Sequence, residues 1–199
     1  MDVEGFGIRA RLPRGWEGAL RAVPLVDEPA EPRSFEARPF ALDDADADTD
    51  AATEGDGPAA DAEVLEPDED PRGPAELVLA PVLHAGTFAL PADRGDFGSG
   101  AVELMREDDS FVALLEYGPE EVGTALYAAQ GLPRRLDPRT FSSRSLQRQI
   151  SGQAGWQHFF TENGRPFCLY IVLGDRNDAN LQVRRIEQLL AEIVIEPAS

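Results

Sequence analysis

The sequence predicts an α+β domain, an antiparallel β-sheet with helices packed on its faces, interrupted by a disordered acidic insertion. Three observations carry that reading. Trp156 to Glu162, Asn163-Gly164 and Pro166 to Leu173 form two strand-like arms around a turn dipeptide that suits the twist of paired strands. The second arm is apolar without a break from Phe167 to Leu173, as in a strand covered on both faces. From Asn177 onward Val183, Ile186, Leu189, Leu190 and Ile193 recur at helical spacing, with Arg184, Arg185, Glu187 and Gln188 on the other faces.

The remaining elements follow in chain order. Phe6 to Leu12 nearly alternates apolar and polar residues and reads as a strand, ending in the turn Pro13-Arg14-Gly15-Trp16. Trp16 is the expected core anchor of that turn. A second strand is expected over Glu17 to Val23. Leu77 to Ala85 reads as a strand packed on both sides, with Pro81 requiring an edge position or a bulge. Gly95 to Gly100 is a loop, and Ala101 to Met105 and Phe111 to Tyr117 are expected to flank the Glu107 to Ser110 turn as a hairpin. Pro119-Glu-Glu opens a predicted helix to Gln130, stopped by Gly131. Asp175, Asn177 and Asp178 are candidate caps of the last helix, and Ile193 to Ile195 closes the chain as a short strand or helix tail.

The insertion is marked by charge. The 199-residue chain has 37 acids against 18 basic residues, for a net charge of −19, and every basic residue is Arg. Thirteen of the acids, and no base, lie between Ala41 and Pro71, where Leu42, Val64 and Leu65 are the only apolar side chains larger than Ala. Such a segment buries too little surface to offset a backbone entropy of roughly 1–2 kcal/mol per residue, and its charges repel one another. Residues 27–76 are therefore expected to be disordered, splitting one domain into residues 1–26 and 77–199.

The same composition narrows function. A strongly acidic chain is a poor nucleic-acid binder, because a duplex needs Lys and Arg to displace its counterions. One cysteine, Cys168, excludes a disulfide scaffold. The longest uncharged stretch, Leu77 to Ala92, is broken by Pro81, Gly86 and Pro91 and is too short to span a bilayer. The first 25 residues show no signal peptide, so a cytoplasmic location is expected.

Ile8-x-x-x-Leu12-Pro13-x-Gly15-Trp16, taken with the C-terminal hairpin, helix and strand, resembles the PsbP-like superfamily over about residues 5–24 and 77–196. That group holds lumenal photosystem subunits, Ran-binding import factors and bacterial single-domain proteins, some of them chaperones for secreted effectors. The resemblance implies an antiparallel sheet with helices on its faces. It implies a binding protein, since the group has no shared catalytic set. The whole chain also resembles actinobacterial proteins, in keeping with its all-Arg basic residues.

Residues that could carry chemistry are few. Cys168 and His158 lie on the two arms of one hairpin, but a thiol within an apolar run is expected to be neutral and inert. His84, in another apolar strand, reads as a satisfied core or edge residue. Two His and one Cys do not make a structural zinc site. Asp43, Asp44, Asp46, Asp48 and Asp50 lack the turn glycine and final Glu of a calcium loop. Gly95, Gly98 and Gly100 would cradle phosphate only if a helix followed them, and Ala101 to Met105 reads as a strand. No metal or cofactor is expected.

One constellation remains. Between Gly131 and Ile150, Arg134, Arg135, Arg139, Arg144 and Arg148 stand against Asp137 alone. Either these arginines pair with nearby carboxylates on a solvated connection, or they form a surface for an anionic partner, since the guanidinium fork suits carboxylate and phosphate. That partner is another protein or the chain's own acidic insertion. The expected function is a non-enzymatic interaction module, adaptor or chaperone-like. The alternatives are a structural subunit of a larger assembly, joined by strand pairing at open sheet edges, and an enzyme acting on a small anionic substrate.

Overall fold

A computed structural model describes residues 1–24 and 79–198; the segment expected to be disordered, residues 27–76, lies outside the described residues. The strands are β1 (Asp2–Gly5), β2 (Ile8–Arg11), β3 (Glu17–Pro24), β4 (Leu79–Gly86), β5 (Ser110–Glu116), β6 (Ala154–Glu162), β7 (Arg165–Leu173) and β8 (Ile193–Ile195). The helices are α1 (Ser99–Val102) and α2 (Ala179–Ala191), with short 3-10 turns between elements. Pairing gives a five-stranded sheet in the order β3-β4-β5-β7-β6 and a three-stranded sheet in the order β1-β2-β8, every pair antiparallel. The architecture is mostly antiparallel sheet with few helices. Among the described residues no helix is long and apolar enough to cross a membrane.

Strand alternation sorts the core into two layers. Leu83, Ala85, Val112, Leu114, Phe160, Phe167, Leu169, Ile171 and Leu173 point to one side of the larger sheet. There they share a cluster with Ile8, Ala10 and Ile195 of the smaller sheet and Val183, Ile186, Leu189 and Leu190 of α2. Val82, Phe111, Ala113, Leu115, Tyr170 and Val172 point to the other side, against Ala101 and Val102 of α1 and Leu146. Burial on both faces makes the β7 sequence unbroken in apolar residues, and its place between β5 and β6 fits that reading. Trp16 is 7 % exposed and belongs to the first cluster, as expected of a core anchor.

Several elements keep their predicted places: β3, β4, the β6–β7 hairpin with Asn163 and Gly164 at positive φ, α2 and β8. Pro81 is tolerated because the β4–β5 ladder starts at Val82, so Pro81 has only β3 beside it. Before α2, the Asp175 carboxylate accepts the Asn177 N–H and so caps a 3-10 turn over Arg176–Asp178; Asp178 is the N-cap of α2 and makes no side-chain bond there.

Three expectations are corrected. The strand expected over Phe6 to Leu12 starts only at Ile8, because Phe6 (φ 52°) and Gly7 (φ 68°) form the tight turn of a β1–β2 hairpin. Ala101 to Met105 is not a strand: Ala101 and Val102 are both buried while Leu104 is 61 % exposed, a helical and not an alternating pattern, and the segment begins with α1. The helix predicted from Pro119 to Gln130 is one 3-10 turn, Pro119–Glu121, after which Gly123 turns left-handed at φ 86°. The carbonyls of Tyr127 and Ala129 go to Thr161 of β6 instead, accepting its Oγ1–H and N–H at 2.8 Å each. Tertiary pairing outweighs local helix propensity there. Of the helices expected on the sheet faces, only α2 exceeds a single turn among the described residues.

Candidate functional site

The arginine segment crosses the outer edge of the larger sheet. Its apolar residues Leu132, Leu136 and Phe141 pack with the cluster on the α2 side, whereas Leu146 and Ile150 pack with the cluster on the α1 side. The crossing is fixed at Ser142, whose N–H and carbonyl both bond to Gly155 of β6 at 2.9 Å. Gly155 is required there, since a Cβ would stand 2.8 Å from the Ser145 carbonyl. On either side are 3-10 turns: Asp137 accepts the Arg139 N–H at 3.0 Å and Ser142 Oγ accepts the Arg144 N–H at 3.2 Å. The apolar residues anchor the segment, and the five arginines between them are exposed.

These arginines do not converge. Arg134 Nη2 donates to the Ile193 carbonyl at 3.0 Å. Arg135 pairs with Glu187 of α2 at 3.2 Å. Arg148 pairs with Glu103, beside α1, at 2.5 Å, so it works on the opposite face of the sheet from Arg134 and Arg135. Arg139 and Arg144 flank the crossing and form no ion pair among the described residues. Contact of this segment with the acidic insertion lies outside the described residues.

The candidate nucleophile and base are separated by register. His158 faces Leu169 and Phe159 faces Cys168, so His158 and Cys168 project from opposite faces of the sheet. Burial pushes the Cys168 thiol up to about 12, partly opposed by a 3.2 Å hydrogen bond from Gln157 Nε2. His158 is stacked between Trp156 and Phe160, and partial burial lowers its pKa. His84 is fully buried, and desolvation lowers it to about 4. Its Nδ1 accepts Arg94 Nε–H at 3.1 Å and its Nε2–H donates to the Asp96 carbonyl at 2.7 Å, which makes it a clamp on the glycine loop. A helix does start after Gly98, with Gly100 inside it, but it is one turn long. Gly98 is there because a Cβ would run into the Phe111 ring. Among the described residues no three His, Cys, Asp or Glu groups gather as metal ligands.

Arg165, the first residue of β7, escaped the sequence reading. It is 7 % exposed, and its Nε and Nη2 donate to both oxygens of Glu116 at 2.7 and 2.5 Å. Its other N–H groups reach the carbonyls of Phe6, Gly7 and Glu196. A cavity of about 380 Å³ opens beside it, lined also by Tyr117 and Pro119, yet all five guanidinium donors are already committed to the protein. Arg165 holds the fold and is no anion receptor. Compared with family models, curated proteins and solved structures, the chain matches none of them.

Proposed function

We propose that the chain is a non-enzymatic, cytoplasmic protein-interaction module, adaptor or chaperone-like, built as a PsbP-like sandwich, that takes an anionic surface of a partner protein. The carrying observation is the pair Arg139 and Arg144, two exposed guanidinium groups mounted on capped turns without an ion pair among the described residues. Capped turns and buried anchors reduce the ordering cost of binding, and the planar fork suits a carboxylate or phosphate. The antiparallel sheets and the packing of α2 support the proposed sandwich. The enzyme reading is weaker, because Cys168 and His158 point away from each other across the sheet.

The test is capture from an extract of the native host by the full-length protein and by an Arg139→Glu, Arg144→Glu variant, with quantitative mass spectrometry. Bound proteins should fall at least tenfold on the variant while its circular dichroism is unchanged. An identical set of bound proteins on both would overturn the proposal.

A further inference from the structure

Of the four outer sheet edges, two have backbone groups bonded by other parts of the chain. On β8 the outward carbonyls of Ile193 and Ile195 accept from Arg134 Nη2 at 3.0 Å and Asn163 Nδ2 at 2.8 Å. On β6 the outward groups of Gly155 and Thr161 are bonded to Ser142, Ala129 and Gly131, so that only Gln157 and Phe159 between them lack a backbone partner among the described residues. The β1 edge is short, Asp2–Gly5, and only Asp2 and Glu4, both acidic, face outward on it. The longest open edge is β3, eight residues from Glu17 to Pro24.

Register identifies which of its groups face outward. The Thr87 N–H donates to the Ser110 carbonyl, so odd-numbered β4 residues bond to β5 and even-numbered ones to β3. Gly86, His84, Val82 and Ala80 therefore bond to Glu17, Ala19, Arg21 and Val23. Gly18, Leu20 and Ala22 direct their N–H and C=O groups away from the sheet, and these have no backbone partner among the described residues. Pro24, next in that parity, has no N–H to offer. Ala19 and Ala22 are small side chains on this edge, whereas Gly18 makes room for Leu12, whose Cδ1 would stand 2.8 Å from a Cβ there.

Charge selects the occupant. Pro24 pairs with Leu79, so both ends of the intervening chain are tied to one end of this edge. That intervening chain carries the thirteen acids of Ala41 to Pro71 with no base among them. A second copy, itself at −19, is repelled, and a cationic segment is drawn in. We propose that the outer edge of β3 accepts an extended basic segment of a partner protein as an added antiparallel or parallel strand. This surface is separate from the arginine segment, and the proposal stands or falls independently of it.

The test uses the full chain with an acetylated eight-residue peptide of alternating Lys and Val, read by residue-resolved hydrogen exchange. Gly18, Leu20 and Ala22 amides should exchange fast in the free protein and slow at least tenfold with the peptide. Glu-Val peptides and Lys-Val peptides N-methylated at every residue, of equal length, should give no protection, the first for charge and the second for want of strand N–H groups. Ala22→Pro removes one outward N–H and leaves the β4 ladder intact; it should weaken binding about tenfold with its melting temperature kept. Protection of these amides without peptide would overturn the proposal, and sedimentation would tell whether a second copy (a dimer) or the chain itself holds the edge. Equal protection by the N-methylated Lys-Val peptide would overturn it in favour of a purely electrostatic contact.

Discussion

The guanidinium of Arg134 donates to the carbonyl of Ile193 at 3.0 Å, on the open side of β8. An exposed carbonyl at a strand edge is a template for another chain, and a cation placed on it blocks that approach. Asn163 does the same at Ile195, so the short last strand is closed by side chains. Arg134→Ala should therefore cost about 1 kcal/mol, the range for one net hydrogen bond, while Arg139→Ala and Arg144→Ala stay within about 0.5 kcal/mol of wild type. Urea midpoints of the three variants check this; equal midpoints would assign Arg134 to the surface set.

Glu116 and Arg165 are a different case, because the pair is largely buried and bidentate. Removing one partner leaves the other charge buried without compensation. Glu116→Ala should destabilise by about 3–5 kcal/mol, and the loss should exceed that of the exposed pair Arg135–Glu187, worth about 0–1 kcal/mol. Chemical denaturation of Glu116→Ala and Arg135→Ala side by side decides it.

His84 makes stability depend on pH in a set direction. In the unfolded chain the imidazole takes a proton near its ordinary 6.5; buried in the fold it does so only near 4. Folding therefore favours the neutral ring, and its contribution is whole above 6.5 and lost as pH falls from there toward 4. His158, shifted the same way, adds to the trend. Unfolding free energy measured from pH 7.5 to 4 should fall more steeply for wild type than for His84→Gln; parallel curves would remove His84 as the cause.

Deleting Ala41 to Pro71 should leave the melting temperature of the domain close to that of the full chain, since closure entropy changes by only about 0.6 kcal/mol per doubling of loop length. It should also lengthen retention on heparin at low salt. That gain is expected if the thirteen acids, linked to the same chain, compete for the arginines at an effective concentration of millimolar order through weak pairs that fade with screening. Adding Arg139→Ala and Arg144→Ala should cancel the gain. Equal retention of the full and shortened chains would show that the acidic segment does not cover the arginines.

What the sequence disclosed follows from how each element is stabilised. The β6–β7 hairpin and α2 were legible because periodicity, turn chemistry and burial agree, Asn163-Gly164 supplying the positive φ values that the turn needs. Pro119 to Gln130 was misread because its carbonyls are claimed by Thr161, a partner far along the chain that no local window contains. Among the site residues, the arginine segment was visible as a local charge excess, but its dispersal to Ile193, Glu187 and Glu103 was not. Arg165 gave no signal: one cation at the head of an apolar strand looks like a boundary until its carboxylate and three carbonyls are assembled from three places in the chain.

The smaller sheet also imposes an order on synthesis. β2 hydrogen-bonds to β8, with Ile8 opposite Ile195 and the Glu196 N–H returning to the Gly7 carbonyl. The first hairpin thus leaves the ribosome long before its partner strand exists, with Ile8 and Ala10 bare, and non-local pairing of this kind is slow to form. The nascent chain can build the larger sheet once Leu173 has emerged, but it can seal its first core layer only after Ile195.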